Sequence, residues 1–372
     1  MPLAIVHTES SLGWGGQEIR ILAESQGLIR RGHAVRILCP AEARLAAEAG
    51  AWHVPVVTLP IARKGVTGLR SLAAWFRDNA CDVVNTHSST DSWLAALALR
   101  LVEGPVPIVR TRHISAPVPR NALSRWLYRN AAAMVVTTGE ALRQQLVEVN
   151  GMAPEHVVSV PTGVDAARFR PGARSAARRA LQLPAEALLV GIVATLRSWK
   201  GHRTLIEALA QLPPSIELVI VGDGPMRETL RAETAALGLE RRVRFVGNQA
   251  DVVPWLQALD VFALPSFANE GVPQALIQAM LCALPCITTT VGSIAELATH
   301  ESTALIVPPR DAQALAGAIL RLSEGEGLRR ALGEAARRHC VENFAYERML
   351  DRMEAVFTAV SRNARSPRAA RR

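Results

Sequence analysis

The chain has 372 residues, a length typical of two domains of ordinary size, and 49% of them are hydrophobic, which excludes disorder except at the ends. Its 42 Lys and Arg residues exceed its 33 Asp and Glu residues, so the formal charge is +9. Almost all of the positive charge is arginine, and no aromatic residues interleave with it in a basic stripe. We therefore expect no nucleic-acid partner and keep anionic lipid as a candidate contact.

The sequence carries no mark of a membrane-spanning or secreted protein. No stretch approaches the roughly 18 consecutive apolar residues of a transmembrane helix, and the first six residues lack the basic start and cleavage site of a signal peptide. The five cysteines are scattered without paired spacing, so we expect reduced thiols rather than disulfides or a zinc site. These features predict a cytoplasmic protein.

The first half of the chain alternates short β-branched runs with amphipathic ones, the pattern of strand and helix units that form a parallel sheet. The first helical pattern, through Ile19 and Leu22, ends in a basic turn before the helix-stopping Gly32. Seven strands are predicted here, at Leu3–Glu9, Ala34–Pro40, Val54–Leu59, Asp82–His87, Pro107–His113, Met134–Thr138 and Val157–Pro161.

Apolar periodicity weakens over residues 163–185, where we expect the connection between two domains. The strand and helix pattern then resumes and closes with two helical stretches, Ala312–Glu342 and Tyr346–Ser361. Six strands are predicted in this half, at Leu188–Thr195, Glu217–Val221, Val243–Val246, Val261–Pro265, Pro285–Thr290 and Ala304–Val307.

The predicted fold class is α/β, with two Rossmann-like doubly wound domains that face each other across a cleft. Residues 1–165 would form the first domain and residues 166–345 the second. Helix 346–361 would pack back on the first domain, and residues 362–372 would be a disordered basic tail. Functional residues should follow the strands, because parallel sheets bind ligands at the carboxyl ends of their strands.

The first candidate site is Gly13-Trp14-Gly15-Gly16, between the first strand and the first helix, where free backbone amides favour a phosphate. A dinucleotide site would have Gly-x-Gly-x-x-Gly and an acidic residue after the second strand. Position 18 is Glu, and the second strand ends Cys39-Pro40-Ala41. A nicotinamide dehydrogenase is therefore disfavoured, and a purely structural turn is the alternative.

The second candidate is the pair Arg197 and Lys200, three residues apart after the first strand of the second half. Such a pair could clamp a diphosphate and neutralise the charge that grows on it as a leaving group. Lys200 is one of only two lysines in the chain, the other being Lys64. A solvated basic turn is the alternative.

The third candidate is the polar loop with Glu270, which follows the strand that ends at Pro265 and leads into a helix. Pro273 suits the first turn of that helix. From the residues alone, Glu270 is a loop carboxylate with either a functional or a structural role. The groups that a ligand would meet beside it are the amides of Gly271, Val272 and Gln274 and the side chains of Gln274 and Gln278, which are one helical turn apart.

Motifs spread over nearly the whole chain occur in the order typical of one enzyme family. They are Gly15-Gly16 with a helix ending Arg31-Gly32-His33; the strand Asp82–His87; Thr162-Gly163-Val164-Asp165 with Arg168-Phe169-Arg170-Pro171; Arg197 with Lys200-Gly201; Val221-Gly222-Asp223-Gly224-Pro225; Val243–Gly247; and the Glu270 loop. The chain resembles a retaining glycosyltransferase of family 4, which has the two-domain GT-B fold and uses nucleotide-sugar donors. Gly13–Glu18 and Glu270–Met280 are similar to members that build lipopolysaccharide and other envelope glycans in Gram-negative bacteria.

The resemblance implies transfer of a sugar to a glycan or lipid-linked acceptor, with retained anomeric configuration and with no metal or other cofactor. It implies that His87 and Glu270 lie at the reacting donor sugar and that Arg112 and His113 lie on the acceptor side. The implied donor-binding residues are Gly15, Gly16, Arg197, Lys200, Gly247, Asn248, Gly271, Val272, Pro273, Gln274 and Gln278.

Two positions depart from the family pattern. Gln278 stands where the family usually has a second Glu, separated from the first by seven residues. Glutamine keeps an acceptor oxygen for a ribose hydroxyl but loses the charge. Thr162 replaces the Asn that is frequent in the hinge motif.

Two other functions stay open at this point. A catalytically silent sugar-nucleotide-binding protein is suggested by Gln278, while retention of His87, Arg197, Lys200 and Glu270 argues against it. A sugar-nucleotide epimerase of similar architecture is disfavoured by the order of the family motifs.

A peripheral contact with the cytoplasmic face of the inner membrane is a further hypothesis. Asn121–Ala133 is dense in arginine and aromatic residues and predicts an amphipathic helix beside the acceptor cleft. The basic tail at 362–372 is a second candidate for this contact. An ordinary packed helix is the alternative for Asn121–Ala133.

Overall fold

The computed structural model describes residues 1–102, 104, 106–113, 118–268 and 270–365, and it divides them into two compact units. The first unit contains residues 1–162 and the described residues from Met349 on, and the second is Gly163–Arg348. Each unit is a parallel-sheet α/β domain, which confirms the predicted α/β class with two Rossmann-like domains. The division falls after Thr162 rather than after Asp165.

The sheet of the first unit is entirely parallel. Its strands are β1 (Ala4–Thr8), β2 (Ala34–Cys39), β3 (Val56–Thr58), β4 (Val83–Thr86), β5 (Ile108–Arg112), β6 (Ala132–Thr137) and β7 (Val157–Ser159). Within the described residues their order is β3-β2-β1-β4-β5-β6-β7. The order therefore reverses between β1 and β4, where ligands bind in doubly wound sheets.

Helices cover both faces of this sheet, so apolar residues at consecutive strand positions, such as Val83 and Val84, are both buried. The helices that lie between its strands are α1 (Gly16–Arg30), α2 (Arg44–Glu48), α3 (Val66–Asp78), α4 (Ser89–Ala98), α5 (Ala122–Trp126) and α6 (Glu140–Gln144). Ile21 and Leu22 of α1 pack in one cluster with Ile37 of β2. Leu72 of α3 packs in another with Val84 of β4.

The second unit repeats this plan. Its strands are β8 (Leu188–Val193), β9 (Ile216–Val221), β10 (Val243–Gly247), β11 (Val261–Leu264), β12 (Cys286–Thr288) and β13 (Leu305–Ile306). All pairs are parallel, and across the described part of the chain the order is β10-β9-β8-β11-β12-β13. The reversal lies between β8 and β11, which pair at Val190 with Val261 and at Gly191 with Phe262.

The remaining helices are α7 (Arg174–Ala180), α8 (His202–Leu209), α9 (Arg227–Ala236), α10 (Val253–Ala258), α11 (Gln274–Leu281), α12 (Ala312–Glu324), α13 (Glu326–Asn343) and α14 (Tyr346–Arg365). Helix α7 lies inside the segment predicted as a connection. It forms because Arg178, which is buried, donates to the carbonyl oxygens of Ala258, Ala185 and Ala187 and pairs with Asp260 at 2.5 Å.

The predicted helix Ala312–Glu342 is wrong as a single element. Gly325 interrupts it, because its ψ angle of 78° is not helical, and this residue separates α12 from α13. The predicted helix over Asn121–Ala133 also differs, because α5 ends at Trp126 and a π turn, Leu127–Ala131, leads directly into β6. Strand pairing with β5 takes over at Ala132.

Helix α14 extends four residues beyond its predicted end, so 362–365 are helical rather than a disordered tail, and 366–372 lie outside the described residues. Its buried residues recur at helical spacing and include Leu350, Met353 and Phe357. Glu354 accepts a hydrogen bond from Arg31 at 3.0 Å and pairs with His33 at 3.3 Å. From Met349 on, the helix belongs to the first unit.

Two further properties concern the whole of the described chain. None of its helices combines the length and apolar character needed to cross a membrane. All five cysteines are free; Cys39, Cys282, Cys286 and Cys340 are buried, and Cys81 is half-buried. Burial raises the pKa of Cys39 and of Cys81 to about 12.

Candidate active site

In the second unit, Glu270 and Lys200 form a nearly buried ion pair beyond the ends of β8 and β11. The Lys200 Nζ atom lies 2.7 Å from Glu270 Oε1 and 3.0 Å from Oε2, and the Ser266 hydroxyl donates to Oε1 at 2.6 Å. The Glu270 side chain is 4% exposed and that of Lys200 is 21% exposed. The three hydrogen bonds compensate the cost of burying the carboxylate.

Two glycines allow the loops around this ion pair to touch. At Gly201 φ is +82°, and an added Cβ would lie 2.2 Å from the Pro265 carbonyl oxygen. At Gly292 φ is +62°, and a Cβ would lie 1.9 Å from the carbonyl oxygen of Glu270. The Phe267 amide also donates to the Trp199 carbonyl at 2.9 Å. The loops that carry Lys200 and Glu270 are thus fixed against each other through their backbones.

The start of α11 brings the predicted amide donors beside Glu270. Pro273 lies one residue before the helix, rather than in its first turn, and Gln274 is the first helical residue. Within the described residues, the amides of Gly271, Val272 and Gln274 donate to no other group. Gln274 and Gln278 are both half-buried and lie one turn apart on α11. An anion or a hydroxyl group could meet several donors here.

Arg197 lines a cavity of about 420 Å³, which Phe267 of the same loop also lines. Arg310 lines it as well, and the Arg310 guanidinium lies 3.9 Å from the centroid of the Phe267 ring. Gly247, with φ of +72°, ends β10, and Asn248 beyond it is exposed. Strand β10 is separated from β8 by β9, so these two residues lie roughly 10 Å along the sheet from β8.

In the first unit, Gly15 and Gly16 open α1 close to Glu9, a buried carboxylate that was not among the predicted site residues. Gly15 precedes the helix in an extended conformation, and Gly16 is its first residue. Glu9, at the end of β1, is fully buried and accepts hydrogen bonds from the Ser11 amide at 2.7 Å, from Ser88 and from Gln17. Burial raises the pKa of Glu9.

Asp91 is a second buried carboxylate at the reversal between β1 and β4. It accepts from the Thr8 hydroxyl at 2.8 Å, from the His87 amide at 2.9 Å and from the Ser88 amide at 2.8 Å. Together with Ser88 it forms a capping box at the start of α4. Burial, and then the charge of Glu9, raise the pKa of Asp91 to about 8. Asp91 therefore fixes the backbone on which His87 stands.

His87 is the middle member of a chain of three histidines. Its Nε2 atom lies 2.9 Å from His7 Nδ1, and its Nδ1 atom lies 2.9 Å from His113 Nε2. His7 and His87 are buried, whereas His113 is half-buried. Burial, with Arg20 nearby, lowers the pKa of His7 to about 3. Burial also holds the pKa values of His87 and His113 well below the usual range, so all three rings are neutral near pH 7.

Arg112 ends β5 and His113 follows it, and the structure adds Arg110 and Tyr128 to this group. Arg112 Nη1 donates to the Tyr128 hydroxyl at 2.9 Å. The Arg110 guanidinium lies 4.6 Å from the centroid of the Tyr128 ring and donates to the Ser88 carbonyl at 3.3 Å. Tyr128 therefore holds both arginines at the carboxyl end of the sheet.

The structure brings the predicted residues into two groups, one in each unit. Lys200, Glu270 and the start of α11 lie together in the second unit, with Arg197 at the neighbouring cavity. His87, His113 and Arg112 share the sheet edge of the first unit, in which Gly15 and Gly16 open α1. In the described ranges, no three His, Cys, Asp or Glu side chains are arranged to hold a metal ion.

Some signals for the missed residues are present in the sequence. Ser88-Ser89-Thr90-Asp91 has the spacing of a capping box, a pattern from which Asp91 could have been identified. Glu9 directly follows a strand, the position expected for ligand-binding groups. His7 had no such signal, because its partner is set by the pairing of two strands distant in sequence.

Two family models match successive parts of the chain. The model described as Glycosyltransferase Family 4 matches residues 14–168. The model described as Glycosyl transferases group 1 matches residues 173–339. The two matches follow the two structural units closely.

Curated relatives match over most of the chain. The D-inositol 3-phosphate glycosyltransferase of Saccharomonospora viridis is 27% identical, over 91% of this chain and 87% of the relative. The protein of the same name from Streptomyces bingchenggensis is 30% identical, over 74% of this chain and 67% of the relative.

Solved structures share this fold over 96% of the chain. A glycosyltransferase from Rickettsia africae superposes with a TM-score of 0.88 at 21% identity, over 96% of this chain and 98% of that one. Anabaena Alr3699/HepE in complex with UDP superposes with a TM-score of 0.85 at 21% identity, over 96% and 100% of the two chains. With these matches, the chain belongs to the glycosyltransferases, and joins a Glycosyltransferase Family 4 region to a Glycosyl transferases group 1 region.

Proposed function

We propose that this glycosyltransferase moves a sugar from a nucleotide-sugar donor to a glycan or lipid-linked acceptor with retention of anomeric configuration. The observation that carries the proposal is the Lys200–Glu270 ion pair beside free helix-start amides and the Arg197 cavity. A bound diphosphate would form an ion pair with Lys200 in place of Glu270. The Glu270 carboxylate would then be available to accept hydrogen bonds from sugar hydroxyls. The Anabaena protein, which shares this fold, was solved in complex with UDP, and this supports a nucleotide-sugar donor.

In the proposed reaction, the bond between the anomeric carbon and the diphosphate oxygen breaks. The acceptor oxygen bonds to that carbon on the same face, and the acceptor proton passes to an oxygen of the leaving phosphate. Arg197 and Lys200 offset the negative charge that grows on the diphosphate. The family resemblance implies that no metal is needed, so EDTA should leave the initial rate unchanged, and Mg²⁺ added back should not raise it.

Two acceptor classes are candidates, each supported by a different similarity. The segments Gly13–Glu18 and Glu270–Met280 favour lipopolysaccharide or another envelope glycan. The name shared by the curated relatives favours an inositol phosphate. Arg110 and Arg112, held by Tyr128 at the edge of the first sheet, would suit an anionic group in either acceptor.

We further propose a cytoplasmic enzyme that touches anionic lipid at the inner membrane surface. Five free thiols suit a reducing compartment. Arg120, Arg125 and Arg129 line one open hollow of about 270 Å³, and exposed Leu123 lies beside them. Loss of binding to vesicles with phosphatidylglycerol in the triple Arg→Gln variant is expected; unchanged binding would remove this part of the proposal.

The direct test incubates the purified protein with UDP-, GDP- and ADP-sugars and measures nucleotide release. Each donor is assayed alone, with a lipopolysaccharide core or lipid-linked glycan, and with inositol phosphate. Lys200→Ala and Glu270→Ala should each lower kcat/KM by about 10²- to 10³-fold, since each removes a charged group from the reacting region. NMR of the product's anomeric carbon tests retention.

Arg321→Ala is the matched control, because Arg321 lies in the same unit but pairs with exposed Glu301, away from Glu270 and from the Arg197 cavity. It should retain at least half of the activity. Donor binding without turnover on every acceptor would favour the silent binding protein. Isomerisation of the nucleotide-sugar in the absence of an acceptor would favour the epimerase.

A further inference from the structure

The three-histidine chain has only two self-consistent arrangements of protons. Each neutral ring carries one N–H and one lone pair. Both N···N contacts are 2.9 Å, so each needs one donor and one acceptor. If His7 donates through Nδ1, then His87 and His113 must also carry their protons on Nδ1. If the order is reversed, all three protons lie on Nε2.

His7, at the buried end of the histidine chain, distinguishes the two arrangements of protons. The Nε2 atom of His7 is buried and has no hydrogen-bond partner within the described residues. The neighbouring Phe357 ring stands nearly perpendicular to His7, with centroids 6.2 Å apart, and offers no acceptor oxygen. Buried N–H groups without a partner are rarer than acceptors that lack a donor. The favoured arrangement thus leaves a lone pair on His7 Nε2 and places every proton on Nδ1.

His113, at the other end of the histidine chain, lies at the carboxyl end of the sheet, where ligands bind. His113 follows β5 directly and is half-buried, whereas His7 lies within β1 and is fully buried. With its Nε2 atom engaged by His87, His113 has only Nδ1 left for a ligand. A proton on that atom makes it a donor.

We propose that His7, acting through His87, fixes the tautomer of His113 so that His113 presents an N–H donor to an oxygen of the acceptor substrate. The acceptor contact rests on the proposed function, whereas the fixed tautomer does not. His7 is thus a positioning residue. It selects acceptors that offer a lone pair at this point, such as a hydroxyl, phosphate or carboxylate oxygen.

The tautomers can be read without any enzymatic assay. Long-range ¹H–¹⁵N spectra of the full-length protein, labelled at its nine histidines, separate protonated from unprotonated ring nitrogens. Single His→Gln variants assign the signals. Protonated Nδ1 on His87 and His113 is expected. A proton on Nε2 of either ring, or a doubly protonated ring at neutral pH, would overturn the proposal.

Variants at position 7 then test the coupling. His7→Leu removes the partner of His87, and His7→Asn offers an amide that can either donate or accept, with less risk to folding. In both, His113 should show a mixture of tautomers. A single unchanged tautomer in both variants would show that His7 does not set it.

Kinetics test the acceptor contact. His7→Asn should raise the acceptor KM by about 3- to 10-fold, the size of one neutral hydrogen bond, with the donor Kd unchanged. His33→Gln is the control. His33 is buried in the same unit, but it accepts a hydrogen bond from the Leu3 amide and is not one of the three linked histidines. It should lower Tm without altering the acceptor KM.

The possible failures are distinguishable. Expected tautomers with no change in acceptor KM would overturn the substrate contact of His113. Expected tautomers in a protein without transferase activity would count against the proposed function and leave the fixed tautomer supported.

Discussion

The buried charged groups of this glycosyltransferase depend on one another residue by residue. Glu270 would be costly to bury alone, but Lys200 and Ser266 supply three hydrogen bonds to it. Removing Lys200 leaves a carboxylate with only the Ser266 hydroxyl and the surrounding loop. The loss of activity expected in Lys200→Ala therefore contains two effects, a missing cation and a displaced Glu270.

The histidine chain should make the first unit sensitive to acid. The pKa of His7 is about 3 in the folded protein, below the 6.5 of an unfolded chain, so unfolding takes up a proton. The stability that this provides is complete above about pH 6.5 and is lost as pH falls toward 3. The slope is about 1.4 kcal/mol per pH unit for each such histidine.

His7→Asn should reduce the pH slope of the unfolding free energy between pH 6 and 5 by about one proton, measured by urea titration. Glu9 and Asp91 have raised pKa values and act in the opposite direction, and the Arg20 and Arg110 side chains lie near the three histidines; all remain in both proteins. Their contribution therefore cancels in the comparison. An unchanged slope would mean that His7 titrates normally in the folded chain.

At the scale of the elements, loops after strands position the site. The loops that follow β8, β11 and β12 meet through Gly201, Gly292 and the Thr289 hydroxyl, which donates to the Ser266 carbonyl at 2.7 Å. Their geometry is set by backbone contacts, so small steric changes should reach the site directly.

Gly292→Ala should lower kcat/KM by about 100-fold, because its Cβ would displace the Glu270 backbone. Gly238→Ala is the matched control, since Gly238 has a similar φ of +66° but nothing lies within 4 Å of an added Cβ. Both variants carry a left-handed backbone cost of about 1 kcal/mol. Equal activity in the two would show that the clash at Gly292 is absorbed without moving Glu270.

The sequence predicts elements well where local patterns decide them. Runs such as Val83-Val84 and Leu188–Val193 are apolar because both sheet faces are covered, and the observed strands fall at the predicted places. Gly325 shows the limit: helical periodicity continues through it, and only the structure reveals the break. Arg178 shows another, since its partners hold a helix in a segment with weak apolar periodicity.

The candidate site is harder to predict from the sequence, because its contacts join residues that are distant along the chain. Lys200 and Glu270 could each be identified from their place after a strand, but their contact joins residues 70 positions apart. The contact between His7 and His87 depends on the register of β1 and β4, in which His7 lies opposite Asn85. A one-residue shift would turn His7 to the other face of the sheet.

At the scale of the whole molecule, the last helix completes the first unit. Helix α14 begins at Tyr346 and buries Met353, Phe357 and Val360, none more than 4% exposed. Phe357 also packs against His7. The end of the chain is therefore part of the core of a domain that the beginning of the chain builds.

A chain that ends at residue 345 should lose the cooperative unfolding of the first unit and expose its apolar surface, measured by calorimetry and dye binding. Burial of a single Phe of this kind contributes about 3 kcal/mol or more. A chain that ends at Arg365 keeps α14 and should retain the full-length Tm. A folded first unit in the shorter chain would contradict the role given to α14.

The buried thiols open the molecule to spectroscopy. Because Cys39, Cys282, Cys286 and Cys340 are buried and Cys81 is half-buried with a raised pKa, maleimide dyes should leave them largely unlabelled at neutral pH. Leu123 and Leu237 are exposed, and they lie in different units. A Leu123→Cys and Leu237→Cys double variant can thus carry a fluorophore pair in the native background. Energy transfer between the dyes would then test whether the distance between these two positions changes when the nucleotide-sugar or the acceptor substrate is added.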